Sequence, residues 1–270
     1  MSASPRTIGA LGRIGDLQRW QFAAGPVDRP DYTPRDMTAI RTRPETLLQG
    51  VLLATVGGFL DAFTYVGYRV FANVQTGNVV LFGVDVASAQ WHQAFLRLAP
   101  VGAFLVGVLV VERLGKPSAF RRLRRPLRVA LAIEILGVAV VAVLPVQTPE
   151  LVITVIVSLV AAIQFSMFRM LVDSPYTSLA TSGNMRSMVV ALHRRFVDRD
   201  RSAGPQAIRF SAVVGGFAAG AVVGALATKH WGHPAAAIPA GVLVVIFVLL
   251  VRETRQLERA PPPPHSADGS

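Results

Sequence analysis

Long apolar stretches separated by short polar or basic ones fill residues 46–252. The runs at 46–68, 95–114, 127–144, 151–171, 208–228 and 235–251 approach or exceed the roughly 18 residues that cross a hydrocarbon core as helix. Two further segments, 71–89 and 176–192, have apolar ends but a polar, turn-forming interior. In the first the interior is Gln75-Thr76-Gly77-Asn78, and in the second it is Ser182-Gly183-Asn184. The pattern predicts six spanning helices and two segments of another kind.

The same order of parts occurs twice. Each half reads as apolar run, polar-turn segment, apolar run, apolar run. Thr76-Gly77-Asn78 aligns with Ser182-Gly183-Asn184, and Phe104-x-x-Gly107 with Phe217-x-x-Gly220. Residues 46–145 and 146–252 are therefore read as two membrane repeats. They are flanked by tails at 1–45 and 253–270 whose Pro, Arg and polar content favours disorder.

Composition agrees. The 270 residues are 52% hydrophobic and only 16% charged, against about 25% in a soluble domain. The net charge of +11 does not point to nucleic acid, because most arginines sit between apolar runs and no aromatic–basic platform accompanies them. There is no cysteine, which excludes disulfides and thiolate chemistry. No apolar signal-peptide core is visible in the first 45 residues.

Charge also orients the chain. The basic segments 113–128 and 194–209 and the C-terminal arginines belong on the cytoplasmic side, and the connections at 145–150 and 229–234 on the other. Six crossings satisfy this only if neither polar-turn segment spans. The first then dips in from outside and the second from the cytoplasm, both termini are cytoplasmic, and the halves are oppositely oriented. In the competing arrangement the first segment spans, giving seven helices and an outside tail.

Irregular backbone is tolerated at membrane depth only where protein buries it or water reaches it. Two half-helices would point their N-termini, with free N–H donors and partial positive charge, at one midplane centre. Thr76 and Ser182 are suitable N-cap residues, Gly77 and Gly183 allow close backbone approach, and Asn78 and Asn184 offer donors and acceptors. Asp61, within the first run, is expensive at that depth and a functional candidate. It could relay protons, bind a cation, or pair with Arg69 or Arg186. Gln164 holds the corresponding place in the fourth run, and Arg186 on the second half-helix could extend a positive site. The candidate substrate-binding set is thus Asp61, Thr76, Gly77, Asn78, Gln164, Ser182, Gly183, Asn184 and Arg186. The bland alternative is that Ser/Thr-Gly-Asn is a buried cap and packing kink, with Asp61 tying one helix to another.

Other polar residues read as structural. Glu134 is expected near the interface, facing the basic loop. Arg169 and Asp173 are expected to pair as helical i,i+4 neighbours. Gly216, Gly220 and Gly224 form overlapping GxxxG steps suited to close helix packing. His230-x-x-His233 has metal-like spacing without a third ligand and reads as an interfacial loop. Pro44 and Glu45 suit the start of the first helix. No nucleophile elbow, P-loop, HExxH or dinucleotide fingerprint is present, so no enzyme, metal or cofactor is inferred.

Gly58, Asp61, Phe71, Thr76, Gly77 and Asn78, within "GGFLDAFTYVGYRVFANVQTGNVVLFGV", resemble the opening of the YoaK-like bacterial membrane proteins. Ser182-Gly183-Asn184 resembles that family's second Thr-Gly motif, with Ser for Thr. The resemblance covers about 46–252 and implies a bacterial inner-membrane protein without implying a substrate.

The combined expectation is an all-α polytopic membrane bundle with an inverted internal repeat, about six transmembrane helices and two re-entrant half-helices. Its leading function is a small-solute transporter or channel, with a midplane site for a polar or anionic solute. Its partner is the lipid bilayer rather than nucleic acid. The alternative is a non-transporting membrane scaffold or sensor that binds a partner protein or anionic lipid.

Overall fold

The computed structural model describes residues 45–114, 125–179 and 181–259. The expected N-terminal tail therefore lies outside the described residues up to position 44, as do most of the basic loop at 115–124 and the C-terminal Pro run.

Eight helices account for nearly all of this. They are α1 (Leu47–Tyr68), α2 (Gln75–Ala87), α3 (Trp91–Leu114), α4 (Pro126–Val143), α5 (Glu150–Met167), α6 (Thr181–Phe196), α7 (Gly204–Trp231) and α8 (Ala237–Arg259). Six of them, all but α2 and α6, are long and apolar enough to cross a membrane. The protein is an all-α bundle of the multi-pass membrane type. At 13 and 16 residues, α2 and α6 reach only about 20 and 24 Å at 1.5 Å per residue.

Several boundaries differ from the sequence reading. α1 starts at Leu47, not at Glu45, because Thr46 is its N-cap and forms a reciprocal capping box with Gln49. α5 stops at Met167, and a two-stranded hairpin follows, pairing Met170 with Pro175 and Leu171 with Ser174. The helical Arg169–Asp173 pair is consequently not formed. Asp173 instead meets Arg209 of α7, which holds its carboxyl below the usual carboxylate range. α8 continues to Arg259, past the expected boundary at 252.

α1 is the central helix, and α7 packs along it most extensively. The two run parallel: Gly216 lies against Val51 and Thr55, Gly224 against Phe59, and Gly67 against Thr228. At the crossing the backbones nearly touch, since a Cβ at Gly58 would strike the Phe217 carbonyl and one at Gly220 the Thr55 carbonyl. The GxxxG steps are packing residues, as expected.

The other helix contacts pair off when the two halves are exchanged. α1 on α7 corresponds to α5 on α3, α2 on α3 to α6 on α7, and α4 on α5 to α8 on α1, while α4 on α8 corresponds to itself. Gly107 of α3 fits against Ala162 and Leu159 of α5 as Gly220 of α7 fits against Thr55 of α1. The shared Phe-x-x-Gly spacing thus marks equivalent close approaches.

Glu45 joins the start of α1 to the hairpin. Its N–H donates to Met170 O at 2.8 Å, its carbonyl accepts from Val172 N–H at 2.9 Å, and its Oε2 accepts from Met170 N–H at 3.1 Å. Burial pushes its carboxyl up from an ordinary 4.5 to about 8. Between those two pH values the folded chain keeps a proton that the unfolded chain has released. The Glu45 contribution to stability should therefore fall as pH rises from 4.5 to about 8 and level off above that. Thermal midpoints in detergent across this range should show the decline, and Glu45→Gln should make it shallower by removing this share.

Candidate functional site: two polar loops at the midpoint of α1

The chain that leaves α1 doubles back along it. Arg69 ends the helix in the left-handed conformation. Ala72 N–H then donates to Thr64 Oγ1 at 3.0 Å and Asn73 N–H to Asp61 Oδ1 at 2.8 Å. Asn73 Nδ2 reaches the Gly57 carbonyl at 2.8 Å. Gly57 is the eleventh of the 22 residues of α1. The loop therefore returns to the helix midpoint before α2 begins.

α2 then runs back out. Near its end Asp85 is paired with Arg97 Nε of α3 at 2.9 Å, and Arg97 Nη1 donates to the Arg69 carbonyl. This loop–helix hairpin thus enters and leaves at the C-terminal end of α1.

The second hairpin approaches from the other end. Glu45 and the 170–175 hairpin mark the N-terminal end of α1. From there Tyr176 passes Gly50, and residues 178–179 press on Gly57, where an added Cβ would lie 2.6 Å from the Ser178 carbonyl oxygen and 2.9 Å from Leu179 Cδ2. Gln164 secures this loop, donating from Nε2 to Leu53 O at 3.2 Å and to Ser178 Oγ at 2.8 Å.

The shared asparagines do the same job in both hairpins. Phe71 N–H donates to Asn78 Oδ1 at 2.8 Å, and Asn78 Nδ2 donates to Phe71 O at 2.7 Å and to Gln75 Oε1 at 2.8 Å. Thr177 N–H donates to Asn184 Oδ1 at 3.4 Å, and Asn184 Nδ2 to Thr177 O at 2.6 Å. Each asparagine is the fourth residue of its helix and clasps the backbone seven residues earlier. Gly77 is explained as well: a Cβ there would lie 2.7 Å from the ring of Phe71, which stacks on Tyr65. Gly183 has no such neighbour, because Thr177 stands where Phe71 stands in the first half.

The expected site residues separate into two groups. Asp61, Asn78, Gln164 and Asn184 are buried, at 5%, 0%, 0% and 3% exposure. Thr76, Ser182, Gly183 and Arg186 are exposed, and Gly77 is intermediate. Thr76 and Ser182 are not N-caps: α2 begins at Gln75 after Val74, and α6 at Thr181, so each sits one residue inside its helix. Asp61 bonds to Asn73, not to Arg69 or Arg186.

Asn73 and Ser178 belong to the buried cluster and are not in the sequence-derived set. Asn73 sits five residues before Asn78 in the same polar segment, which was the available signal. Glu134 also departs from expectation. It lies fully buried on α4, with neither carboxylate oxygen hydrogen-bonded, instead of facing the basic loop.

The first helix N-terminus is not bare. The Asp61 carboxylate takes the amide just ahead of α2, where the helix dipole favours negative charge. Oxygen atoms are left over. Asp61 Oδ2, Asn73 Oδ1 and Gln164 Oε1 are buried without a hydrogen-bond partner. On the α1–α2 side the cluster therefore offers acceptors, which suits a ligand that brings protons more than an anion, while at the start of α6 the buried and likewise unpartnered Thr181 hydroxyl can donate or accept. Among the described residues no group of His, Cys, Asp and Glu is arranged to hold a metal ion. His233 Nε2 instead lies 2.6 Å from Leu144 O.

No curated protein and no solved structure matches the chain. The family model described as "Protein of unknown function (DUF1275)" matches residues 49–249, from the first turn of α1 to just past the middle of α8, and the chain belongs to that family.

Proposed function

We propose that this protein is a transporter or channel, not an enzyme, for a small polar solute. The solute would sit where two re-entrant hairpins of an inverted repeat meet, at the midpoint of α1. In this reading the protein lies in a bacterial inner membrane with both termini cytoplasmic. The carrying observation is that two hairpins reach Gly57 from opposite ends of α1 and bury three partnerless oxygen acceptors there. Buried polar atoms are normally satisfied, and leaving one unpaired costs about 1–3 kcal/mol. A solute donating hydrogen bonds would relieve that cost. The preferred class shifts accordingly from anions to ammonium-like or amide solutes.

The parallel run of α1 and α7, first and third helices of opposite halves, supports the six-crossing topology, in which both rise from the cytoplasm. With Asp61 and Gln164 buried, the described state is closed around its centre.

The test uses purified full-length protein in lipid vesicles and a panel of small ammonium and amide solutes. Asp61→Asn keeps the acceptor for Asn73 N–H while removing the charge. It should lower uptake at least tenfold, about 1.4 kcal/mol of lost interaction, with the thermal midpoint little changed. Wild-type uptake no greater than that of empty vesicles would reject transport and leave the scaffold alternative. Uptake unchanged by Asp61→Asn would reject the site.

A further inference from the structure

A second buried polar position stands apart from the midpoint cluster. Glu134 is on α4, fully buried, and neither of its oxygens has a hydrogen-bond partner. Leu127, Leu131, Glu134, Val138 and Val141 follow alternating steps of four and three residues and form one inward face of α4. Leu127 and Leu131 line a narrow cleft together with Glu45, Gln49 and Leu53 of the α1 end, Phe168, and Ile246, Leu250 and Glu253 of α8. Side chains on a helix lean toward its N-terminus, so Glu134 leans back toward Leu131 and the inner end of this cleft. The mouth is acidic: Glu45 Oε1 is buried and without a hydrogen-bond partner, and Glu253 accepts from Gln49 Nε2 at 3.1 Å.

We propose that Glu134 is a proton-binding site, filled from the N-terminal end of α1 through the cleft that Glu45, Gln49 and Glu253 open and Leu131 and Leu53 narrow. An ionised carboxylate held in the bundle without a partner is among the costliest arrangements a membrane protein can make, and a bound proton removes the charge. The surrounding elements supply no substitute. α5 carries no titratable group after Glu150 at its far end, and α8 none from Ala237 to Val251. In the turn before α8, His233 is engaged with the Leu144 carbonyl at the opposite end of α4. On α4 itself Arg128 lies six residues back, beyond Leu131. On α1, Asp61 is engaged with Asn73, and Glu45 stands at the cleft mouth. The site goes beyond the transport reading and stands whether or not a solute crosses.

Infrared spectroscopy of the full-length protein in lipid separates protonated from ionised carboxyls by their C=O stretch and needs no solute. The wild type at neutral pH should show a carboxylic-acid component that Glu134→Gln abolishes. A separate component, removed by Glu45→Gln, should titrate away near pH 8. Transfer to D2O should shift the Glu134 component, several-fold more slowly in Leu131→Phe and several-fold faster in Leu131→Ala. If Glu134→Gln leaves the acid region of the spectrum unchanged, the proton site is refuted. A Glu134 component that exchanges at one rate in wild type and in whichever Leu131 variant folds would refute the cleft as its route.

Discussion

Gly220→Leu should be the most damaging single substitution in the bundle. At Gly220 even a methyl group would overlap the Thr55 carbonyl, and the obstacle is backbone, which cannot rotate aside. Gly224 repeats the situation one turn on, with the Phe59 carbonyl oxygen 2.6 Å from an added Cβ, and Gly58 supplies the reciprocal contact from α1. Accommodating leucine means pushing α7 off α1. That separation would also disturb Gly57 and Asp61, on which both polar loops rest. Overpacking a tight contact typically costs 1–3 kcal/mol, and a site needing helix displacement belongs at or above the top of that range, about 3 kcal/mol or more. The check is thermal unfolding of detergent-solubilised protein together with the yield of monodisperse material. Gly215→Ala and Gly241→Ala are matched controls, because nothing lies within 4 Å of a Cβ at either position. They should leave the midpoint unchanged or slightly raised, since alanine is the better helix former. A midpoint for Gly220→Leu equal to that of the controls would mean that α1 and α7 do not pack as described.

Much of the bundle could be read from residue order, and the reasons show where such reading stops. Six apolar runs announce themselves because lipid-exposed and core positions alike demand apolar side chains, so length alone is diagnostic. The expectation that 71–89 does not span rests on the basic residues at 113–128 and the turn-forming Gln75–Asn78, and α2, at 13 residues, is not among the helices long and apolar enough to cross. The glycine steps of α7 carried their packing role in their spacing. The roles within the polar segments were not legible. Asn73 and Ser178 act through loop backbone that has no period, and their partners, Gly57 and Gln164, are distant in sequence. Asp61 could equally have paired with an arginine. Only the return of the loop shows that a backbone amide reaches it first and sets its carboxylate beside the helix end expected to draw an anion. Arg169 and Asp173 misled because four-residue spacing has meaning only inside a helix, and the chain there is a hairpin.

Asn78→Leu should produce the second large loss, and it should be a loss of stability before anything else. Leucine has the same branching and number of side-chain heavy atoms as asparagine, though a somewhat larger volume, and removes every polar contact of the clasp. The N–H and C=O of Phe71 would then be left without the partners they now have at 2.8 and 2.7 Å. Each buried backbone group so stranded costs about 1–3 kcal/mol, giving about 2–6 kcal/mol together. Asn78→Asp retains one acceptor and gains from a negative charge in the first helical turn, so it should fall between leucine and wild type. Asn184→Leu should cost less than Asn78→Leu, because the Thr177 N–H contact is already long at 3.4 Å. Thermal midpoints of the three variants, ordered in this way, would establish the clasp; equal midpoints for Asn78→Leu and wild type would remove it. The ordering also decides how transport experiments are to be read. A variant whose hairpin has come loose loses flux whatever its centre binds, so the asparagines cannot serve as probes of the solute site. Asp61→Asn, which preserves its bond to Asn73, isolates the chemistry of the centre from the architecture that holds it.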